Sequence, residues 1–178
     1  MALTVETGAA LANANSFATV AEATTYLTDR GLVALANLPT TAAKEACLIN
    51  ASEFVNGAFG WIGVRLTTTQ ALAWPRARSA TNFRVPTGVP TQLKAAVARV
   101  AEQIAAGTNM FAAVEAGDVI QSVQAGNVSV TFGASAPMIA ATGRASMPWL
   151  AELLNGLITS SPDNAATNGF GTLNVARS

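Results

Sequence analysis

A mainly α fold, a small helical bundle with an inserted β-hairpin and extended N- and C-terminal arms, follows from three observations. Apolar residues recur at helical spacing over several segments, bounded by residues that start and stop helices. The period drops to two between Asp118 and Gly133, as a half-buried strand pair requires. Both ends of the chain are rich in small and polar residues. The expected division is an N-terminal arm over 1–15, a helical bundle over 16–117, a hairpin with its connecting loop over 118–145, a C-terminal helix over 146–158 and an extended tail over 159–178.

The arm, Met1 to Asn15, carries no helical pattern. Thr19 and Glu22 have the spacing of a capping box, and the helix they open is expected to run to Arg30, with Gly31 as its stop and Val20, Ala23 and Leu27 as its buried stripe. A second helix is expected after Pro39, capped by Thr40 or Thr41 and ending at Gly57. Cys47, Ala51, Phe54 and Ala58 form its apolar face, widened by Leu48 and Val55. The glycine-rich stretch Phe59 to Leu66 reads as a packed loop. A short third helix is expected over Thr68 to Trp74, because the residue before Pro75 is pushed out of the α region and ends the run.

A fourth helix starts at Pro90, which loses no hydrogen bond in a first turn. Leu93, Val97, Val100 and Ile104 make its stripe, Gly107 ends it, and helical character is expected again over Met110 to Ala116. The strands Asp118 to Gln124 and Val128 to Gly133 flank Ala125, Gly126 and Asn127. An isolated hairpin is marginal in water, so this one calls for a partner sheet or a neighbouring chain. Ser146 caps an apolar helix over Met147 to Ile158. Beyond it the tail is too polar to fold alone, although Phe170, Leu173 and Val175 are spaced to dock on a partner.

At 178 residues the chain fits one domain with appendages. It is 51% hydrophobic and only 11% charged, against roughly 25% charged in ordinary soluble domains. Two explanations stand side by side: an alanine- and glycine-rich genomic composition, or an oligomer that hides an uncharged face. The net charge is zero, which removes a bulk electrostatic case for nucleic acid or an anionic membrane. The charge is unevenly placed, however. Phe54 to Ala101 holds no acid and six basic residues, while the remainder has four basic residues against ten acids, a net of −6. Such a partition suits head-to-tail self-association unless folding mixes the charges.

The single cysteine, Cys47, excludes an internal disulfide and reads as a buried structural thiol. No secretory pattern opens the chain and no apolar run is long enough for a membrane span, so a reducing cytoplasm is the expected compartment. Histidine is absent, which removes the commonest general base and metal ligand. No phosphate-binding glycine loop occurs, Ser16 and Ser146 lack a base, and Glu102 and Glu115 are ordinary helix acids even if they meet. The expectation is therefore no enzyme, no catalytic residue, no cofactor and no metal.

What remains is interaction chemistry. Arg76, Arg78 and Arg84 follow Trp74 in a proline-bounded loop, and arginine forks hold carboxylates or phosphates in bidentate fashion. Trp61, Trp74 and Trp149 suit core or interface equally.

Taken in order, five segments resemble the head–tail connector (adaptor) proteins of tailed bacteriophages, some of which carry the label DnaT-like single-stranded DNA-binding. They are Ser16 to Gly31, Lys44 to Gly57, QALAWPR at Gln70 to Arg76, the helix start at Val89 to Ala101, and GNVSVTF at Gly126 to Phe132, followed by a leucine-rich helix. The resemblance covers roughly residues 16 to 158. It implies a virion protein at the neck, assembled in the host cytoplasm as a ring, usually of twelve copies. The ring would join the portal to the tail or a tail-completion protein, and packaged double-stranded DNA would pass through its channel without sequence-specific contact. On this reading Arg76, Arg78, Arg84, Phe170, Leu173 and Val175 contact partners and Trp74 is a packing anchor. The alternative is a single-stranded nucleic-acid-binding module in which the Arg65 to Arg84 segment tracks phosphates.

Overall fold

The structure is a computed structural model that describes residues 2–77, 88–111, 122–125, 128–131 and 147–160. Three helices make its centre: α1 (Val20–Thr28), α2 (Thr41–Ala58) and α3 (Thr91–Ala105), with α2 packed mainly on α3 and α1 lying against both. Six short strands and one further helix complete it. These are β1 (Gly60–Trp61), β2 (Val64–Arg65), β3 (Arg76–Ala77), β4 (Ser122–Ala125), β5 (Val128–Thr131), α4 (Pro148–Leu153) and β6 (Ile158–Ser160). The fold is mainly α.

The helices form where local chemistry starts and stops them. Thr19 accepts from the Glu22 N–H and the Glu22 carboxylate accepts from the Thr19 N–H, a complete capping box. Such a cap is worth about 1 kcal/mol. Thr40 caps α2 through the Ala43 N–H. Gly31 and Gly107 follow α1 and α3 in the left-handed region, and the next N–H reaches back in each case, Leu32 to the Leu27 carbonyl and Thr108 to that of Gln103. That arrangement satisfies end carbonyls that would otherwise be orphaned.

The core explains why α3 is central. Leu93, Ala96, Val97, Ala98, Val100 and Ala101 are all buried, so more than one face of α3 is covered. The alanines let α2 approach closely with Leu48, Ala51, Phe54 and Val55, and Ala23 and Leu27 close the side from α1. Leu150, Leu154 and Leu157 seal one end, each worth about 1.5–3 kcal/mol of burial. Cys47 is only half-buried; its partial burial raises the thiol pKa.

Four expectations change. Residues 2–15 do not extend away as an arm: Val5 bridges to Ser16, and the Glu6 carboxylate is buried, accepting from the N–H groups of Gly8, Ala10 and Leu11 at 2.8–3.0 Å. The Phe59 to Leu66 loop contains two short strands, both in antiparallel pairs: β1 with β6, far along the chain, and β2 with β3. No helix forms over Thr68 to Trp74, for reasons given below. The C-terminal helix stops at Leu153, and the chain turns into β6 by Ile158.

The hairpin is present in the expected place. Strands β4 and β5 pair antiparallel from Ser122↔Thr131 to Ala125↔Val128, so Gly126 and Asn127 connect them. Among the described residues no third strand joins that ladder. Helical continuation over 112–116 and the tail from residue 161 lie outside the described residues. Glu102 is not the ordinary helix acid expected; it is buried and accepts from the Ala34 and Leu35 N–H groups at 2.7 and 2.9 Å, pinning the α1–α2 connection to α3. No described helix is long and apolar enough to cross a membrane.

Candidate partner interface at the Trp74 turn

The chain from Thr67 to Pro75, ahead of β3, is organised largely by side-chain hydrogen bonds. Gln70 is buried; its Nε2 donates to the carbonyls of Leu72 and Pro75 at 2.7 and 3.0 Å, and its Oε1 accepts from the Thr67 N–H at 3.0 Å. Thr67 Oγ1 accepts from the Gln70 N–H in return. Asn56, near the end of α2, accepts from the Ala73 N–H, and Leu11 of the N-terminal turn accepts from the Ala71 N–H. Side-chain bonds of this kind offer the backbone an alternative to helix, and here they win.

Trp74 sits at the middle of the turn. It is fully buried, the Trp74–Pro75 peptide is cis, and its ring meets Trp61 edge-on at 6.2 Å. Trp61 in turn meets Phe59 edge-on at 6.4 Å and donates its Nε1–H to the Asn56 carbonyl. The Trp74 Nε1–H donates to the carbonyl of Gly88. That bond joins the turn to the residues just ahead of α3. Gly88 is also held from the other side. A Cβ on Gly8 would lie 2.8 Å from the Gly88 Cα, and Gly8 has φ +101°, so only glycine fits there.

Arg76 closes the turn. Its Nε donates to the Ile62 carbonyl at 2.8 Å, Nη1 to that of Ala73 at 3.0 Å, and Nη2 to those of Trp61 and Gly63. The guanidinium thus ties β1, the β1–β2 connection and the Trp74 turn together. Burial and the nearby charge of Arg65 lower its pKa from the ordinary arginine value. Arg65 is its cross-strand neighbour on the β2–β3 ladder and is itself exposed, with one long bond of 3.5 Å from Nη1 to the Gln70 carbonyl. Val64 and Leu66 on either side of it are 57% and 51% exposed.

Of the residues singled out from the sequence, Trp74 and Arg76 are therefore brought together in one self-bonded turn. Arg78 and Arg84 fall within 78–87, and Phe170, Leu173 and Val175 within 161–178, both outside the described residues. The roles of Gln70, Asn56 and Glu6 escape sequence reasoning, because one buried polar side chain leaves no periodic trace. The Arg65–Arg76 pairing follows from a register between strands of two residues each, too short to show alternation. Ser16 serves the backbone rather than any chemistry: its hydroxyl donates to the Ala18 carbonyl and accepts a 3.4 Å bond from the Ser52 hydroxyl.

The fold and this turn define a small mainly α protein with a β-hairpin, in which a buried tryptophan and an arginine fork fix a side-chain-bonded turn beside Gly88. The chain belongs to the family described as "Putative DnaT-like ssDNA binding protein", whose profile matches residues 1–178. No curated protein and no solved structure matches it.

Proposed function

We propose that the chain is a structural subunit of a tailed-bacteriophage neck. In this reading it is a head–tail adaptor that closes into a ring, twelve copies being the expected number, between the portal and the tail, with the genome passing through the channel. The observation that carries the reading is the β4–β5 hairpin, whose ladder gains no third strand among the described residues. A two-stranded hairpin is barely stable by itself, and open edges of this kind pair with another chain. The order of segments along the sequence supports the same assignment. The test is light scattering and negative-stain imaging of the purified chain, alone and with the portal assembly. Rings, or a layer added to the portal, are expected; a chain that stays monomeric in both conditions contradicts the proposal.

Single-stranded DNA binding is the second reading, favoured by the description of the family, by the exposed Arg65 and by Arg78 and Arg84 in the same acid-free stretch of sequence. Sequence-independent binding of single strands combines a cationic groove with free aromatic platforms. Trp61 and Trp74 are packed edge-on against each other, and the Arg76 donors are engaged with carbonyls, which weakens this reading. Binding of a labelled oligonucleotide across a salt series separates the two. A steep loss of affinity with salt, in a protein that never assembles, favours the DNA reading.

A further inference from the structure

The N-terminal loop and β6 stand far apart in the sequence, yet both are fastened to the Trp74 turn. The loop, residues 2–16, is closed on itself. The Asn15 N–H donates to the Thr4 carbonyl and the Glu6 N–H to that of Ser16, both at 2.8 Å, and the Glu6 carboxylate gathers the N–H groups of Gly8, Ala10 and Leu11. A segment bonded within itself in this way opens as a unit. It reaches the turn through Leu11, whose carbonyl accepts from the Ala71 N–H at 3.1 Å, and through Gly8, which lies against Gly88. The Gly88 carbonyl in turn holds the Trp74 Nε1–H.

Strand β6 is fastened to the same turn by other bonds. It pairs with β1 through Gly60↔Ser160 and Trp61↔Ile158, and the Ile62 N–H donates to the Leu157 carbonyl at 3.0 Å. Arg76 carries the tie across. Its Nε and Nη2 hold the carbonyls of Ile62 and Trp61, and its Nη1 holds that of Ala73 inside the turn. One planar group therefore bonds both segments, and neither shifts without disturbing the bonds of the other. Two paired strands this short are marginal by themselves, so the β1–β6 pair is an element with a closed and an open state.

We propose that the Arg76 fork makes the Trp74 turn a clasp that couples the N-terminal loop to β6, so that release of either one loosens the other. Linkage makes the effect reciprocal. A partner that takes up β6 thereby loosens residues 2–16, and a partner that takes up the N-terminal loop loosens β6. This coupling is independent of both functional readings above.

Hydrogen exchange of the full chain, read at single amides, tests it. Gly8→Ala places a Cβ 2.8 Å from the Gly88 Cα at a φ of +101°, which must push the loop away. Glu6→Gln loosens the same loop without added bulk and serves if the alanine variant fails to fold. Each is expected to speed exchange at Ala71 and Ile62 by roughly tenfold or more, while Ala106 and Thr108 at the far end of α3 keep their wild-type rates. Ile158→Gly weakens β6 and is expected to speed Ala71 in return. In an Arg76→Lys background, which lacks the planar fork, the loop variants are expected to leave Ile62 where the lysine alone puts it. Acceleration that stops at Ala71, or that is equal at Ile62 and Ala106, overturns the clasp. So does an Ala71 amide that ignores Ile158→Gly, or an Ile62 amide that still responds in the lysine background.

Discussion

Arg76 shows how a residue that looks like a contact can also act as a fastener. Its donors reach the carbonyls of Trp61, Ile62, Gly63 and Ala73, gathering four acceptors on one side chain. A lysine cannot reproduce that planar fork. Arg76→Lys is therefore expected to lower stability by about 1–3 kcal/mol, read as a shift of the urea midpoint at constant slope. An unchanged midpoint would show that water replaces the guanidinium at no cost. Glu22 makes a smaller and pH-dependent contribution. Partial burial alone would raise its pKa, but the Lys94 ammonium and the Thr19 N–H and hydroxyl together hold it below the ordinary glutamate value. A depressed folded pKa means the stabilisation is complete above the unfolded value, about 4.3, and disappears as pH falls through the folded one. Because the Glu22 side chain is 44% exposed, only a few tenths of a kcal/mol are expected. The wild-type curve of stability against pH should separate from that of Glu22→Gln above about pH 4 and converge with it below. Parallel curves would contradict the assignment.

At the scale of elements, the helices are legible in the sequence because their starts and stops are local. The Thr19–Glu22 spacing, Thr40 ahead of α2, and the glycines after α1 and α3 each act within a few residues of where they stand. The hairpin is legible for the same reason, since its strands alternate and only two residues join them. The Trp74 turn is not. Gln70, Leu72 and Trp74 read as part of a helical run, but Leu11 and Asn56 take the Ala71 and Ala73 N–H groups that a helix would have used, and the Gln70 amide bonds the Leu72 and Pro75 carbonyls instead. Partners 17 or more positions away leave no periodic signal. Gln70→Ala removes the donor to the Leu72 and Pro75 carbonyls and the acceptor of the Thr67 N–H, leaving Pro75 with the Leu66 N–H alone, and is expected to cost about 1–3 kcal/mol, with the largest loss of amide-exchange protection across 67–77. Protection lost evenly over the whole chain would instead mean that the turn is no separate unit. The β1–β6 pair is unreadable for a different reason: very short strands, so far apart in the chain, carry too little pattern.

For the whole molecule, the charge partition seen in the sequence is bridged by an ion pair among the described residues. Lys94 crosses to Glu22 on α1, so part of the acid-free band is neutralised internally. Arg65 and Arg76, also in that band, have no acidic partner among the described residues. Low charge, and a two-stranded hairpin to which no third strand is added among the described residues, are properties expected of a chain whose surface is completed by other copies. Electron microscopy of the purified chain mixed with the portal assembly tests that claim most directly. A closed ring of copies stacked on the portal is predicted, with the β4–β5 hairpin buried between neighbours. Monomers that ignore the portal and bind single-stranded DNA in a salt-dependent way would contradict it.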